Sequence, residues 1–146
     1  MRRFTSIYES DRWRCCLVVG QTTYVSVHAN RLWNDSGIDV IPGRSYRFTV
    51  PANETWSDSH KICGPTGYMS IRLLRLWLAF RRVPEANWLQ LIGTIGRPPR
   101  ARIVLGSHLA NFLPPFNGRL YFFANDLPWM YWNNRGMIAV RVTRTQ

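Results

Sequence analysis

The chain has 146 residues and a formal net charge of +11 at pH 7. This length predicts one domain, spanning residues 1–146, with room for a sizeable core, and no uncharged run is long enough for a membrane-spanning helix. Only eight residues are acidic, and most lie beside turn formers, so we expect no hydrolytic active site and no enzyme.

The first half of the chain has the pattern of short strands separated by turns. Strands are predicted at 15–19, 22–28, 38–40 and 46–50. The run Asn34-Asp35-Ser36-Gly37 predicts a turn, and residues 51–67 have the composition of a loop anchored by Trp56. Residues 1–14 are expected to be an extended segment or an edge strand.

The second half is more ambiguous at its start. Residues 69–83 carry arginines spaced as on an amphipathic helix, yet their apolar residues also alternate as in a strand. We expect a short helix, or an irregular loop leading into a strand. Further strands are predicted at 88–95, 102–105, 119–124 and 137–142, with a β-bulge at Gly93. Many short strands, spaced about ten residues apart, predict an antiparallel β-sandwich.

One connection between predicted strands is unusually rich in side-chain oxygens. Residues 125–136 read Asn-Asp-Leu-Pro-Trp-Met-Tyr-Trp-Asn-Asn-Arg-Gly. Each Asn or Asp could simply form a turn, but a plain hairpin needs about 2–5 residues, and longer polar loops are more often functional. Carboxylate and amide oxygens suit a hard cation, and Ca²⁺ is the obvious candidate. The loop alone cannot fill a calcium shell, so another loop or a bound ligand must complete it.

The run from Ala124 to Val142 resembles the calcium-dependent galactophilic lectins of the Pseudomonas lectin A type. The shared order is Asn-Asp, an apolar residue, Pro, a variable stretch, then Asn-Asn-x-Gly and an alternating strand. A looser similarity covers about residues 22–143 and is weak at 69–87. Its landmarks are Pro42-Gly43, Trp56, Gly64-Pro65-x-Gly67 and Asn117-Gly118.

This resemblance implies a jelly-roll-like, galactose-binding-domain-like β-sandwich with calcium at one end. By position, Asp126 would supply both carboxylate oxygens, and Asn133 and Asn134 their side-chain carbonyls. Met130 and Ser59 would supply main-chain carbonyls. In this family two neighbouring sugar hydroxyls complete the calcium shell, so the resemblance also implies a carbohydrate partner.

The sugar-binding set implied here is Asp126, Asn133, Trp129, Met130 and Trp132. The two tryptophans are open to two interpretations, because they could stack on a sugar face or pack the loop. The His and Gln that contact galactose in the family, shortly after Gly-Pro-x-Gly, are absent from residues 68–72. The expected ligand is therefore a galactose-type sugar or another glycan. A homo-oligomer is expected, since multivalency strengthens weak sugar contacts.

The positive charge comes from 18 arginines and the single Lys61. It could attract acidic glycans or a membrane, but the arginines are spread along the chain, as on an ordinary solvated surface. No nucleic-acid partner is expected. The alternative function is a lectin-like fold that binds no sugar and uses its arginines to hold an anionic partner or membrane.

The three cysteines and the N-terminal sequence bear on the compartment. Cys15 and Cys16 are adjacent, so at most one disulfide, to Cys63, is expected, and free thiols fit the sequence better. The first residues lack the apolar segment of a signal peptide. We therefore expect a cytoplasmic protein or one exported by a non-classical route.

Overall fold

A computed structural model describes residues 16–69 and 72–146 of the chain. The expectations for residues 1–14 and Cys15 lie outside the described residues. Two 3-10 helices and ten strands are present in the described part. The helices are Arg72–Phe80 and Tyr131–Asn133, and the strands are β1 Thr22–His28, β2 Asn34–Val40, β3 Tyr46–Thr49, β4 Trp56–Asp58, β5 Lys61–Cys63, β6 Leu91–Ile95, β7 Ala101–Val104, β8 His108–Phe112, β9 Gly118–Ala124 and β10 Asn134–Arg144.

The strands form two antiparallel sheets. One sheet has six strands in the order β5-β4-β10-β3-β8, with β1 also paired to β10, and the other has four in the order β2-β9-β6-β7. The 11-residue strand β10 is the hub of the larger sheet, because it pairs with β1, β3 and β4. The predicted antiparallel β-sandwich is confirmed.

The core lies between the two sheets and follows the alternation of the strands. In β10, Ile138, Val140 and Val142 are fully buried, whereas Arg141 between them is exposed. Phe48 of β3 packs edge-on against Phe122 of β9, with ring centroids 6.2 Å apart, which joins the sheets. The predicted anchor Trp56 is also buried in this core.

A smaller apolar cluster covers the outer face of the four-stranded sheet. Val83 and Ala86, in the loop before β6, pack on Ile92 of β6 and Phe123 of β9. Trp33, next to β2, packs against the same group. The outer face of β9 is therefore covered at this end of the sandwich, close to the point where the chain leaves β9 for residues 125–133.

Several predicted elements need correction in the first half. The strand predicted at 15–19 is wrong, because its described residues, 16–19, form no strand. The turn predicted at 34–37 lies inside β2, where a register shift against β9 between Asp35 and Asp39 absorbs the turn-forming residues. Residues 51–67 are not simply a loop, since they contain the β4–β5 hairpin.

The second half also departs from expectation in places. The ambiguous segment contains the 3-10 helix Arg72–Phe80 and no strand among its described residues. The strand predicted at 88–95 begins only at Leu91, and β8 was not predicted. The bulge at Gly93 is wrong because this residue pairs in register with both neighbouring strands. A Cβ here would lie 3.2 Å from the Leu105 side chain, so packing explains the glycine.

The two described cysteines form no disulfide. Cys16 and Cys63 are free, and burial together with the negative charge of Asp58 raises the pKa of the Cys63 thiol to about 11. A thiol with so high a pKa is a poor nucleophile.

In the described part of the chain, no helix has the length and apolar character needed to cross a membrane.

Gly67 is required by a close contact between main-chain segments. It has φ +70°, and a Cβ there would lie 2.1 Å from the Trp88 carbonyl oxygen. This contact adjoins the Tyr68–Trp88 bridge, which holds the residues after the β4–β5 hairpin against the chain before β6.

We predict that Gly67→Ala lowers the free energy of unfolding by about 2–4 kcal/mol, since the backbone must shift to relieve the clash. Gly43→Ala is the matched control, because Gly43 has φ +81° and open space around its Cα. It should cost only about 1 kcal/mol. Urea denaturation of both variants measures the difference, and equal losses would show that the contact at Gly67 is unimportant.

Candidate functional site

Three segments meet at one end of the sandwich. They are residues 125–133, which follow β9, the start of β10, and the β4–β5 hairpin. Antiparallel pairing of β10 with β4 sets Asn134 opposite Asp58 and Gly136 opposite Trp56. The long loop and the short hairpin are thereby held side by side, although about 70 residues separate them in the sequence.

Asn125 fixes the start of the long loop. Its side chain is fully buried and accepts a hydrogen bond from the Val83 N–H at 2.9 Å. Its Nδ2 donates to the carbonyls of Val83, Ala86 and Asn87 at 2.8–3.3 Å. The amide therefore ties the end of β9 to the loop that covers the outer sheet face. Sequence reasoning noted Asn125 only as a polar residue of the run.

Asp126 is a buried carboxylate. It is 3% exposed, and its oxygens accept hydrogen bonds from the Leu127 N–H at 2.7 Å and from Asn134 Nδ2 at 2.9 Å. Burial raises the pKa of Asp126 to about 6, the two hydrogen bonds partly offset this, and the negative charge of Asp58 adds to the rise. No side-chain cation is among its described hydrogen-bond partners, so its negative charge is poorly compensated.

Asn133 and Asn134 each present an unsatisfied side-chain oxygen. Asn133 Nδ2 donates to Asp58 at 3.0 Å, and Asn134 Nδ2 donates to Asp126 and to the Ala29 carbonyl. In both residues Oδ1 is buried and has no hydrogen-bond donor in the described structure. Buried acceptors without a donor are costly and rare in native proteins. We therefore expect these two oxygens to interact with a group that the described residues do not supply.

Asp58 belongs to the same hydrogen-bonded group, although the sequence did not indicate it as a site residue. Its second carboxylate oxygen accepts a hydrogen bond of 2.6 Å from the Tyr68 hydroxyl. Burial and this bond to Asp58 raise the pKa of Tyr68 well above its ordinary value. The sequence offered one signal, since Asp58 directly precedes the predicted ligand Ser59. Asp58 and Asp126 lie close enough for the charge of Asp58 to raise the pKa of Asp126.

Ser59 and Met130, the two predicted main-chain ligands, both adjoin Asn133. Ser59 forms the tip of the β4–β5 hairpin with φ 52°, and its N–H donates to the Asn133 carbonyl at 3.0 Å. The Met130 carbonyl accepts the Asn133 N–H at 3.3 Å. The structure therefore brings all five predicted metal-site residues into one hydrogen-bonded neighbourhood. Asp58 belongs to it as well, because it accepts a hydrogen bond from Asn133 and lies on β4, the strand paired with β10.

Trp129 and Trp132, predicted to contact sugar, have exposed side chains. Trp129 is 55% exposed and Trp132 is 77% exposed. Trp129 meets Phe80 of the longer 3-10 helix at 6.4 Å between ring centroids, and Phe80 in turn meets Trp77 at 6.0 Å. The sequence left two interpretations open, contact with a sugar or packing of the loop. Because Trp132 is so exposed, it does not pack the interior of the loop.

The donor set determines which kind of group the site would hold. In the described chain, no three His, Cys, Asp or Glu side chains come together as a metal-binding group. The linked segments instead carry two carboxylates, Asp58 and Asp126, and two buried amide oxygens without donors. A set made only of oxygens, carrying negative charge, matches a hard cation such as Ca²⁺ and does not match zinc or copper. The residues present therefore fit calcium.

Comparison with known proteins is informative about the fold. No protein-family model matches the chain, and no curated protein does. A solved structure described as the EclA N-terminal domain, a PllA-like lectin, is similar with a TM-score of 0.60 and 18% sequence identity. The match covers 84% of this chain and 94% of that chain.

The chain has a lectin-like β-sandwich fold. The match to the PllA-like lectin spans most of both molecules, so the two share the sandwich as a whole and not just a few strands.

We predict that Asn125→Ala lowers the free energy of unfolding by about 2–4 kcal/mol, because it leaves the Val83 N–H and several buried carbonyls without partners. Asn117→Ala, at an exposed position in the turn before β9, is the control and should change stability by less than about 0.5 kcal/mol. Chemical denaturation compares the two. A loss at Asn125 as small as that at Asn117 would contradict the anchoring role.

Proposed function

We propose that this protein is a calcium-dependent carbohydrate-binding protein whose ion is held at Asp126, Asn133 and Asn134. The observation that carries the proposal is the pair of buried amide oxygens without donors beside a buried carboxylate. A cation would satisfy both oxygens and neutralise Asp126. The main-chain carbonyls of Ser59 and Met130 would complete the protein part of the site, and Asp58 would orient Asn133.

Calcium at this position would supply open coordination for two neutral oxygens, and neighbouring sugar hydroxyls offer such a pair at a fixed spacing. The protein residues would hold the ion and set the orientation of the sugar. Trp129 and Trp132 lie on either side of Met130 in the sequence and are exposed, and we assign to them the contact with the apolar face of a sugar ring. Resemblance to lectins in both sequence and fold supports this assignment.

We propose that the protein binds its ligand without enzymatic activity. Although Asp58 and Asp126 interact, both carboxylates already accept hydrogen bonds from neighbouring groups, an arrangement suited to holding an ion. We further propose that the protein acts as a homo-oligomer, in which several weak sugar sites act together. The ligand class is a galactose-type sugar or another glycan with adjacent hydroxyls.

We predict that calcium at 100 times its dissociation constant stabilises the protein by about 2.7 kcal/mol, measured as a rise in Tm that a chelator reverses. Asp126→Asn should abolish this rise because it removes the central carboxylate. Glu85→Gln removes the same charge from an exposed position and is the matched control. If Asp126→Asn responds to calcium as fully as Glu85→Gln does, the assigned ion site is wrong.

A glycan array in calcium and in chelator tests the carbohydrate partner directly. We expect binding in calcium only, and Trp132→Ala should weaken the strongest binding about tenfold by removing the exposed ring beside the site. Met137→Ala, at an exposed apolar position of β10, should bind like the wild type.

Calcium-independent binding that falls steeply with salt would overturn the proposal. It would favour the alternative in which the arginine-rich surface holds an anionic partner or membrane.

A further inference from the structure

A concave site lies on the outer face of the four-stranded sheet. It is a cleft of about 130 Å³ lined by Trp33, Arg82, Pro99, Arg102 and Phe123. None of these residues belongs to the proposed calcium site. We call it the arginine cleft, because two of its five lining residues are arginines.

The strand alternation builds the floor of the arginine cleft. Phe122 of β9 and Ile103 of β7 are buried in the main core, so their neighbours Phe123 and Arg102 face outward. Trp33 stands edge-on to Phe123, with ring centroids 5.5 Å apart. Phe123 and Arg102 therefore belong to regular strands, and Trp33 packs on one of them.

Arg82 is held firmly in the cleft. Its guanidinium carbon lies 3.4 Å from the centroid of the Phe123 ring and 4.4 Å from that of Trp33. Nη1 donates to the Leu32 carbonyl at 2.6 Å and to the Tyr131 hydroxyl at 2.9 Å. Within the described structure, Nε and Nη2 have no acceptor, so two donor groups of a fixed cation remain available.

Arg102 supplies a second cation without a counter-charge. It makes no hydrogen bond or ion pair with the described residues, and Arg97 adds a third guanidinium 5.8 Å from the Trp33 ring. No acidic residue is among those that line the cleft. The ion pairs of the described side chains instead join Arg119 to Asp35 and Asp39.

We propose that the arginine cleft binds the carboxylate of an acidic sugar residue. Arginine donors match a planar carboxylate in charge and geometry, and Trp33 and Pro99 give the cleft apolar walls for the C–H face of the ring. The assignment to a sugar rests on the proposed function, whereas the preference for an anion rests on the cleft alone.

The test uses glucuronate as the probe, with glucose as its neutral counterpart and inorganic phosphate as a bare anion. Calcium is first removed with a chelator, and gel filtration then removes the chelator, because soluble chelators are themselves polycarboxylates. The calcium-free protein is titrated and followed by NMR. Glucuronate should shift the Trp33 indole N–H signal, glucose should not, and Arg102→Gln should weaken glucuronate binding at least about tenfold.

Arg141→Gln is the matched control, because Arg141 is exposed on β10 of the other sheet and stacks on Tyr24 at 5.3 Å. It removes the same charge and should bind glucuronate like the wild type. Equal weakening by the two variants would overturn the proposal, since only net charge would then matter. Phosphate binding as tight as glucuronate, or no shift of Trp33, would overturn it as well.

A further titration separates this proposal from the calcium site. Asp126→Asn should keep its full affinity for glucuronate, whether or not the wild-type protein binds calcium. Loss of glucuronate binding in Asp126→Asn would place the anion elsewhere and overturn the assignment to the cleft.

Discussion

The pairing of the first residues of β10 with β4 is the constraint on which the candidate site depends. It places Asn134 opposite Asp58, so that groups from two distant parts of the chain share one buried space. The pairing is tight: Gly136 has φ +89°, and a Cβ there would lie 3.2 Å from the Trp56 Cα. A larger residue would push the two strands apart. Because β10 also forms the centre of the six-stranded sheet, the geometry of the site is tied to the stability of the whole sandwich.

Electrostatics divide the end of the molecule into two regions of opposite sign. On one side Asp126 and Asp58 gather negative charge among amide oxygens, and burial raises the pKa of Asp126 to about 6. On the other side Arg82 and Arg102 gather positive charge against aromatic rings. Arg82 joins the regions, since its main-chain N–H donates to the Asp126 carbonyl while its side chain lines the cleft. If both proposals hold, a glycan with adjacent hydroxyls and a carboxylate would have the chemistry to use both regions.

Buried polar side chains and exposed aromatic rings have different roles in the loop formed by residues 125–133. Asn125 fixes the loop from inside through hydrogen bonds to main-chain groups, and the Tyr131 hydroxyl donates to the Ala124 carbonyl at the end of β9. Trp132 lies on the outside of the same loop and contributes little to its interior. Such a division is typical of binding sites in which buried polar residues set the geometry and surface aromatic residues provide contact area.

The sequence by itself determined the class of fold and the residues of the long loop. Strand alternation, turn residues and spacing are local properties, so β1, β9 and most of β10 were predictable, and the oxygen-rich run identified Asp126, Asn133 and Asn134. Tertiary structure alone decided the place of Asp58 beside Asn133 and the convergence of Arg82 with Arg102. These features depend on contacts between residues 20 to 75 positions apart, where the pairing of strands rather than any local pattern decides which side chains meet.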